Sequence, residues 1–175
     1  SYDRRNNLTL LVISNIFSYL KNFTNDKIIG CYSAIESELD LKDLYLKLYL
    51  EGFNLSLPCV VEKTSPLCFR TWKLNESLIQ SSYYRKIFEP HHSNEIVVPD
   101  IILVPIVACD MSGNRIGYGK GFYDRTIEKL KEYKQLITIG VCYSIQLSED
   151  EIKCQSHDQK LDVIITEKFV KILKD

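Results

Sequence analysis

Ile101-Ile102-Leu103-Val104-Pro105-Ile106-Val107-Ala108, and after Cys109 the segment Asp110-Met111-Ser112-Gly113-Asn114-Arg115-Ile116-Gly117-Tyr118-Gly119-Lys120-Gly121-Phe122-Tyr123-Asp124, decide how this chain is read. The apolar run reads as a buried strand. Arg125 to Lys131 then carries helical spacing. A glycine-rich loop between a strand and a helix is where α/β proteins hold phosphates. Gly117, Gly119 and Gly121 recur at every second residue. Without a Cβ, such positions accept positive φ or lie close against a ligand, and successive N–H groups in such a loop can converge on an anion.

The spacing is neither the Walker A pattern nor the dinucleotide fingerprint. On glycines alone, a tight surface turn fits as well. Arg115 and Lys120 add fixed positive charge, and Asp124 at the helix start is placed to hold a metal. Each has a plainer role available: a surface cation for the first two, a carboxylate complementing the helix dipole for the third.

Outward from this unit, strands and helices alternate. Leu8, Leu11, Val12, Ile16 and Leu20 predict a helix over 6–21. Residues 27–32 read as a strand, and Leu41, Leu44, Tyr45, Leu48 and Tyr49 as a second helical stripe capped by Gly52. Strands are expected at 55–61, 67–72, 101–107, 136–143 and 161–165, and a helix at 122–132. The polar segment 75–98 reads as loop with room for a short helix. Ser148-Glu149-Asp150-Glu151 has the form of a capping box before a short helix, and a terminal helix is expected to about Leu173. No repeat or linker interrupts the 175 residues, so the expected architecture is α/β: one domain over 1–175, a three-layer α/β/α sandwich with a largely parallel sheet.

Composition narrows the function classes. The net charge of −1 gives no global field for nucleic acid or a membrane surface, and no basic stripe interleaved with aromatics suggests a nucleic-acid module. No apolar run approaches the roughly 20 residues that span a bilayer. The six cysteines form no C-x-x-C pair, and several lie in apolar runs, where a free thiol acts as a small hydrophobe. Reduced core thiols point to the cytoplasm.

Asp-x-x-Gly-Asn-Arg-Ile-Gly-Tyr-Gly-Lys-Gly-Phe-Tyr-Asp-Arg, residues 110–125, resembles the signature of the 5-formyltetrahydrofolate cyclo-ligases, also called methenyltetrahydrofolate synthetases. In the same order follow further likenesses: Tyr32 to Asp40 to an early segment ending Glu-x-Asp-Thr, Leu57-Pro58-Cys59-Val60-Val61 to a Leu-Pro-x-Val strand, then Phe69 and Trp72. Ile87-Phe88-Glu89-Pro90 resembles an Ile-x-Glu-Pro element, and Gln146, His157, Asp158 and Asp162 a Gln, His-Asp and Asp series. The likeness covers about residues 28 to 170.

The resemblance implies ATP- and Mg²⁺-dependent cyclisation of 5-formyltetrahydrofolate, with or without a polyglutamate tail, to 5,10-methenyltetrahydrofolate, releasing ADP and phosphate. It implies the same fold. Carried over residue by residue, it places Arg115 and Tyr123 with the nucleotide and Tyr118, Gly119, Lys120, Gly121 and Phe122 with the folate, the whole loop from Arg115 and Gly117 to Tyr123 lying between the two. Lys120, Arg115 and Tyr123 are the expected catalytic groups. Ser33 and Glu38 are the expected folate contacts, a carboxylate being a sensible partner for pterin N–H donors. Asp124 and Asp158 are the expected Mg²⁺ ligands, two carboxylates being what Mg²⁺ takes from protein when phosphates and waters complete its shell. Trp72, Tyr83 and Tyr84 either flank the pterin or pack the core. His157 reads as structural, and His91-His92 as a solvated loop. A monomer is expected.

Three departures stand out. Nothing in Ser1 to Leu20 matches the family's N-terminal Lys-x-x-x-Arg element, so a segment carrying it is expected to precede Ser1. The Pro-rich approach to His-Asp reads Ile152-Lys153-Cys154-Gln155-Ser156 here, and the Thr of Glu-x-Asp-Thr is Leu41. They leave two alternatives: a non-catalytic folate- or nucleotide-binding paralogue, and a phosphosugar-handling enzyme of similar fold, since fold does not fix function.

Overall fold

The computed structural model describes residues 2 to 173. In chain order its elements are α1 (Tyr2–Leu20), β1 (Ile28–Gly30), α2 (Lys42–Leu50), β2 (Asn54–Cys59), β3 (Cys68–Thr71), β4 (Ile79–Gln80), β5 (Phe88–Glu89), β6 (Ile96–Val97), β7 (Ile101–Pro105), β8 (Ala108–Cys109), β9 (Arg115–Ile116), α3 (Phe122–Lys131), β10 (Ile137–Val141), β11 (Val163–Ile165) and β12 (Val170–Ile172). A 3₁₀ turn covers Ser144–Gln146.

Eight strands form one sheet in the order β12-β11-β10-β7-β1-β2-β3-β6. The inner five, β11 to β2, run parallel, and β12, β3 and β6 are antiparallel to their neighbours. The apolar run at β7 is explained by its central place. Ile101 and Leu103 pack on the face carrying α1 and α2, while Ile102 and Val104 pack on the face carrying α3. A strand covered on both faces needs apolar side chains at every position. The expected three-layer sandwich with a largely parallel sheet is therefore what forms.

α1 buries Val12, Ile13, Ile16 and Leu20, whereas Leu11 stays half-exposed. The buried stripe is thus rotated slightly from the expected one. α2 buries Leu44, Tyr45 and Leu48. Its N-terminus is served by Asp40, whose carboxylate accepts the Lys42 N–H at 3.1 Å. Leu41 is fully buried in the core beside it.

Three expectations are corrected. Residues 75–98 hold three two-residue strands rather than a loop or short helix, β4 pairing with β5, and β6 with β3. Ser148 starts no helix; its N–H donates to the Cys109 carbonyl at 2.7 Å, tying the segment to β8. The terminal residues 170–172 form β12, antiparallel to β11, where a helix was expected.

The topology creates one crevice. From β1 the chain crosses by α2 to β2 on one side, and from the adjacent β7 it crosses by α3 to β10 on the other. The two crossover helices lie on opposite faces. Loops leaving the carboxyl ends of β1 and β7 therefore diverge, and the gap between them is where open α/β sheets bind ligands.

Candidate active site

The loop after β7 begins with a short hairpin, β8 paired with β9. Asp110 organises its turn. The buried carboxylate accepts the Ser112 N–H at 2.9 Å, the Asn114 N–H at 3.0 Å and the Asn114 side-chain amide at 2.8 Å. It also accepts the Ile152 N–H at 2.8 Å, which fastens the 148–158 segment to the hairpin. Burial raises its pKa, but these bonds outweigh that and hold it below the usual carboxylate range. Sequence reading had Asp110 only as a letter of the signature.

The hairpin delivers Arg115 and the glycine loop to the crevice. Gly119 and Gly121 have φ of 77° and 63°, the left-handed region that glycine enters without strain. Gly121 is the N-cap of α3 and supplies no side-chain cap. Space around Gly117 and Gly119 is open on the side where a Cβ would point. The loop thus leaves room beside an uncapped helix start, where N–H groups and the helix dipole favour an anion.

Arg115 and Asp124 form an ion pair at 2.8 Å, with side chains only 6% and 14% exposed. Asp124 Oδ1 accepts from the Arg115 guanidinium and from the Gln159 N–H at 2.9 Å. The second bond holds the 155–159 segment against α3 and places Asp158, the neighbour of Gln159, on the same side of the crevice. Asp158 Oδ2 accepts the Gln155 N–H at 2.7 Å, and Oδ1 lies 3.6 Å from His157 Nε2. His157 is exposed.

From β1 come the facing residues. Tyr32 O–H donates to the Leu39 carbonyl at 2.7 Å, and Tyr45 O–H donates to the Tyr32 carbonyl at 2.8 Å, fixing the 31–41 loop on α2. Glu38 Oε2 accepts the Ile35 N–H at 2.9 Å. Burial pushes the Glu38 carboxyl up to about 6, partly offset by that bond. Burial, with the Glu38 charge nearby, also pushes the Tyr123 phenol up, so it remains a protonated donor.

The crevice has a volume of about 700 Å³. Ser33 and Glu38 line it from the β1 side, Arg115 and Gly117 through Asp124 from the β7 side, and Asp158 at the end. Every residue that the sequence assigned to the site therefore borders one cleft. Trp72 does not: it packs edge-on against Tyr45 in the core, ring centroids 6.0 Å apart. Tyr83 and Tyr84 also stand off the cleft wall, but Tyr84 supports Lys120, whose Nζ lies 3.7 Å from its ring centroid. Gln146 is structural, accepting the Tyr143 N–H at 2.8 Å and donating to the Ile106 carbonyl at 2.7 Å. Glu89 is buried and accepts the Val60 N–H at 3.0 Å. All six cysteines are unpaired, and four of them are buried.

The donors present fit a nucleotide and a hard cation. Arg115 lines the cleft, and its Nε is buried without a hydrogen-bond partner, leaving one donor of the guanidinium unused within the protein. Among the described residues no three metal-ligating side chains cluster. Asp124 and Asp158 each keep one oxygen outside the hydrogen bonds named above. That suits Mg²⁺, which binds one or two carboxylates and keeps waters and phosphate oxygens. No helix among the described residues is long and apolar enough to cross a membrane.

Comparison with known proteins identifies the family. The model of the 5-formyltetrahydrofolate cyclo-ligase family matches residues 10–167. The 5-formyltetrahydrofolate cyclo-ligase of Haemophilus influenzae is 33% identical over 129 residues, covering 71% of this chain and 67% of its own. That of Mycoplasma genitalium is 39% identical over 164 residues, covering 92% and 85%. The solved 5,10-methenyltetrahydrofolate synthetase of Aquifex aeolicus superposes with a TM-score of 0.80 at 32% identity, covering 100% of this chain and 86% of that one. On fold, cleft and sequence together, the chain belongs to the 5-formyltetrahydrofolate cyclo-ligase family.

Proposed function

We propose that this protein closes 5-formyltetrahydrofolate to 5,10-methenyltetrahydrofolate, consuming ATP with Mg²⁺ and releasing ADP and phosphate. The observation that carries this reading is convergence: Glu38 and Ser33 face Arg115, Lys120 and Asp124 across one cleft at the topological switch point. A formyl amide oxygen is a poor leaving group. In the proposed reaction it attacks the γ-phosphorus of ATP, the bridging P–O bond breaks, and ADP leaves. N10 then attacks the activated formyl carbon, the C–O bond breaks, phosphate departs, and the N10 proton is released to complete the methenyl bridge.

The protein's part is alignment and charge. Arg115 and Lys120 neutralise phosphate oxygens as charge shifts toward the leaving group. Glu38 accepts from pterin N–H groups and Tyr123 donates its O–H. Asp124 and Asp158 would hold Mg²⁺, which when bound would further neutralise phosphate charge. No nucleophilic side chain is required, in keeping with a site that has no Ser-His-Asp arrangement. A monomer in a cytoplasmic setting is part of the same proposal, free thiols being usual in reducing compartments.

The test is absorbance in the methenyl-folate band with protein, 5-formyltetrahydrofolate and Mg²⁺. A rise that requires ATP is expected. Ligand binding without that rise would replace this reading with the non-catalytic paralogue.

A further inference from the structure

Tyr84 lies on the short connection between β4 and β5, a segment that carries no part of the glycine-loop signature. The connection is held firmly. The Ser81 N–H donates to the Ile87 carbonyl at 2.9 Å, the Ile87 N–H to the Tyr84 carbonyl at 3.0 Å, and the Gln80 side-chain amide to the Arg85 carbonyl at 2.7 Å. From this frame the Tyr84 ring does two things. Its face receives Lys120, with Nζ 3.7 Å from the centroid. Its ring also meets Phe122 at a centroid distance of 5.9 Å and an interplanar angle of 88°. The next residue but one, Lys86, pairs with Glu36 at 2.8 Å on the β1 side of the cleft. One seven-residue connection, 81–87, thus touches both the glycine loop and the opposite wall.

Lys120 needs such a support. Its stem has four rotatable bonds and the side chain is exposed. No acidic side chain lies within ion-pair reach of it among the described residues. Its flanking glycines permit the loop's shape without restraining it. An aromatic face holds an ammonium by the ring quadrupole while leaving the N–H donors that point away from the ring for an incoming anion. A carboxylate in the same place would compete with phosphate for those donors.

We propose that Tyr84 is a positioning residue for Lys120, keeping the ammonium over the cleft before substrates bind. This rests on the role assigned to Lys120 above, and the test separates the two. Turnover is measured for wild type, Tyr84→Phe, Tyr84→Ala, Lys120→Ala and the Tyr84→Ala/Lys120→Ala double variant, with 5-formyltetrahydrofolate and Mg-ATP. Tyr84→Ala is expected to lower kcat about tenfold or more, within the range for misplaced catalytic groups, with a smaller change in the KM for 5-formyltetrahydrofolate. Tyr84→Phe keeps the ring and restores most of kcat. In the Lys120→Ala background, adding Tyr84→Ala costs less than about twofold, since the group it positions is gone. An equal loss in both backgrounds, or no loss from Tyr84→Ala alone, would overturn the proposal. Near-full activity of Lys120→Ala would overturn the underlying reading instead. A second readout is independent of turnover. The Lys120 ε-methylene NMR signal, assigned by Lys120→Arg, is expected upfield in wild type and Tyr84→Phe and at the free-lysine position in Tyr84→Ala. A free-lysine position in wild type contradicts the contact.

Discussion

The Arg115 guanidinium donates to Asp124 Oδ1 at 2.8 Å, joining β9 to the first turn of α3 across the glycine loop. Sequence reading gave these residues separate tasks, one with the nucleotide and one with the metal. The structure couples them: the carboxylate proposed to hold the cation is also what orients the arginine. Both are nearly buried, so removing one strands the other.

Arg115→Ala and Asp124→Ala are therefore each expected to lose most activity and about 3 kcal/mol of stability, as for a broken buried pair. The double variant should be less destabilised than the sum of the singles. Denaturant melts of the three variants check this; strict additivity would show that the pair is not coupled.

Glycine substitutions should split into two kinds. Gly121→Ala forces a Cβ into a left-handed position and to 2.7 Å from an Arg125 nitrogen, so it should cost about 1 kcal/mol or more. Gly117→Ala meets nothing within 4 Å and should melt like wild type while losing turnover, because its Cβ intrudes on the space for ligand. Melting temperature read beside kcat distinguishes them.

Glu38 sets an acidic limb. With its carboxyl raised to about 6, the accepting form is lost as pH falls through that value, so the KM for 5-formyltetrahydrofolate should rise there. Glu38→Gln should raise KM at pH 7 and flatten the limb. Stability runs the other way. A raised carboxyl contributes stability that is present below its ordinary 4.5 and lost as pH rises through about 6. Relative to wild type, Glu38→Gln should therefore gain stability above pH 6 and not below 4.5. A KM profile unchanged in Glu38→Gln would remove Glu38 from the folate contact.

Asp110 is buried away from the cleft wall, yet its loss should matter. Asp110→Ala leaves four hydrogen-bond donors around one vacated site and frees the Ile152 attachment. Unsatisfied buried donors cost about 1–3 kcal/mol each, less where water enters. Faster amide exchange across 148–158, with slow exchange retained in β7 and β10, is the expected pattern.

What the sequence made legible follows from how strongly each segment is constrained. Residues 101–108 announce a buried strand because β7 is covered on both faces, and the glycine loop announces itself because its backbone demands residues without side chains. The segment Val170-Lys171-Ile172 misleads because a three-residue edge strand is too short to show a period, and pairing with β11 decides it. β4, β5 and β6 are hidden for the same reason. The capping-box letters at Ser148 fail because no apolar stripe follows to bury a helix, and β8 offers Ser148 a carbonyl instead. Tyr84 is illegible in principle: its partner lies 36 positions along the chain and nothing local marks the contact.

The most direct test of the central claim follows the formyl oxygen. 5-Formyltetrahydrofolate labelled with ¹⁸O in the formyl group is converted with Mg-ATP in ordinary water, and the released phosphate is analysed by mass. Phosphoryl transfer to the formyl oxygen predicts one labelled oxygen in each phosphate formed. Unlabelled phosphate, with the label in water, would mean that ATP is hydrolysed apart from ring closure and would contradict the account.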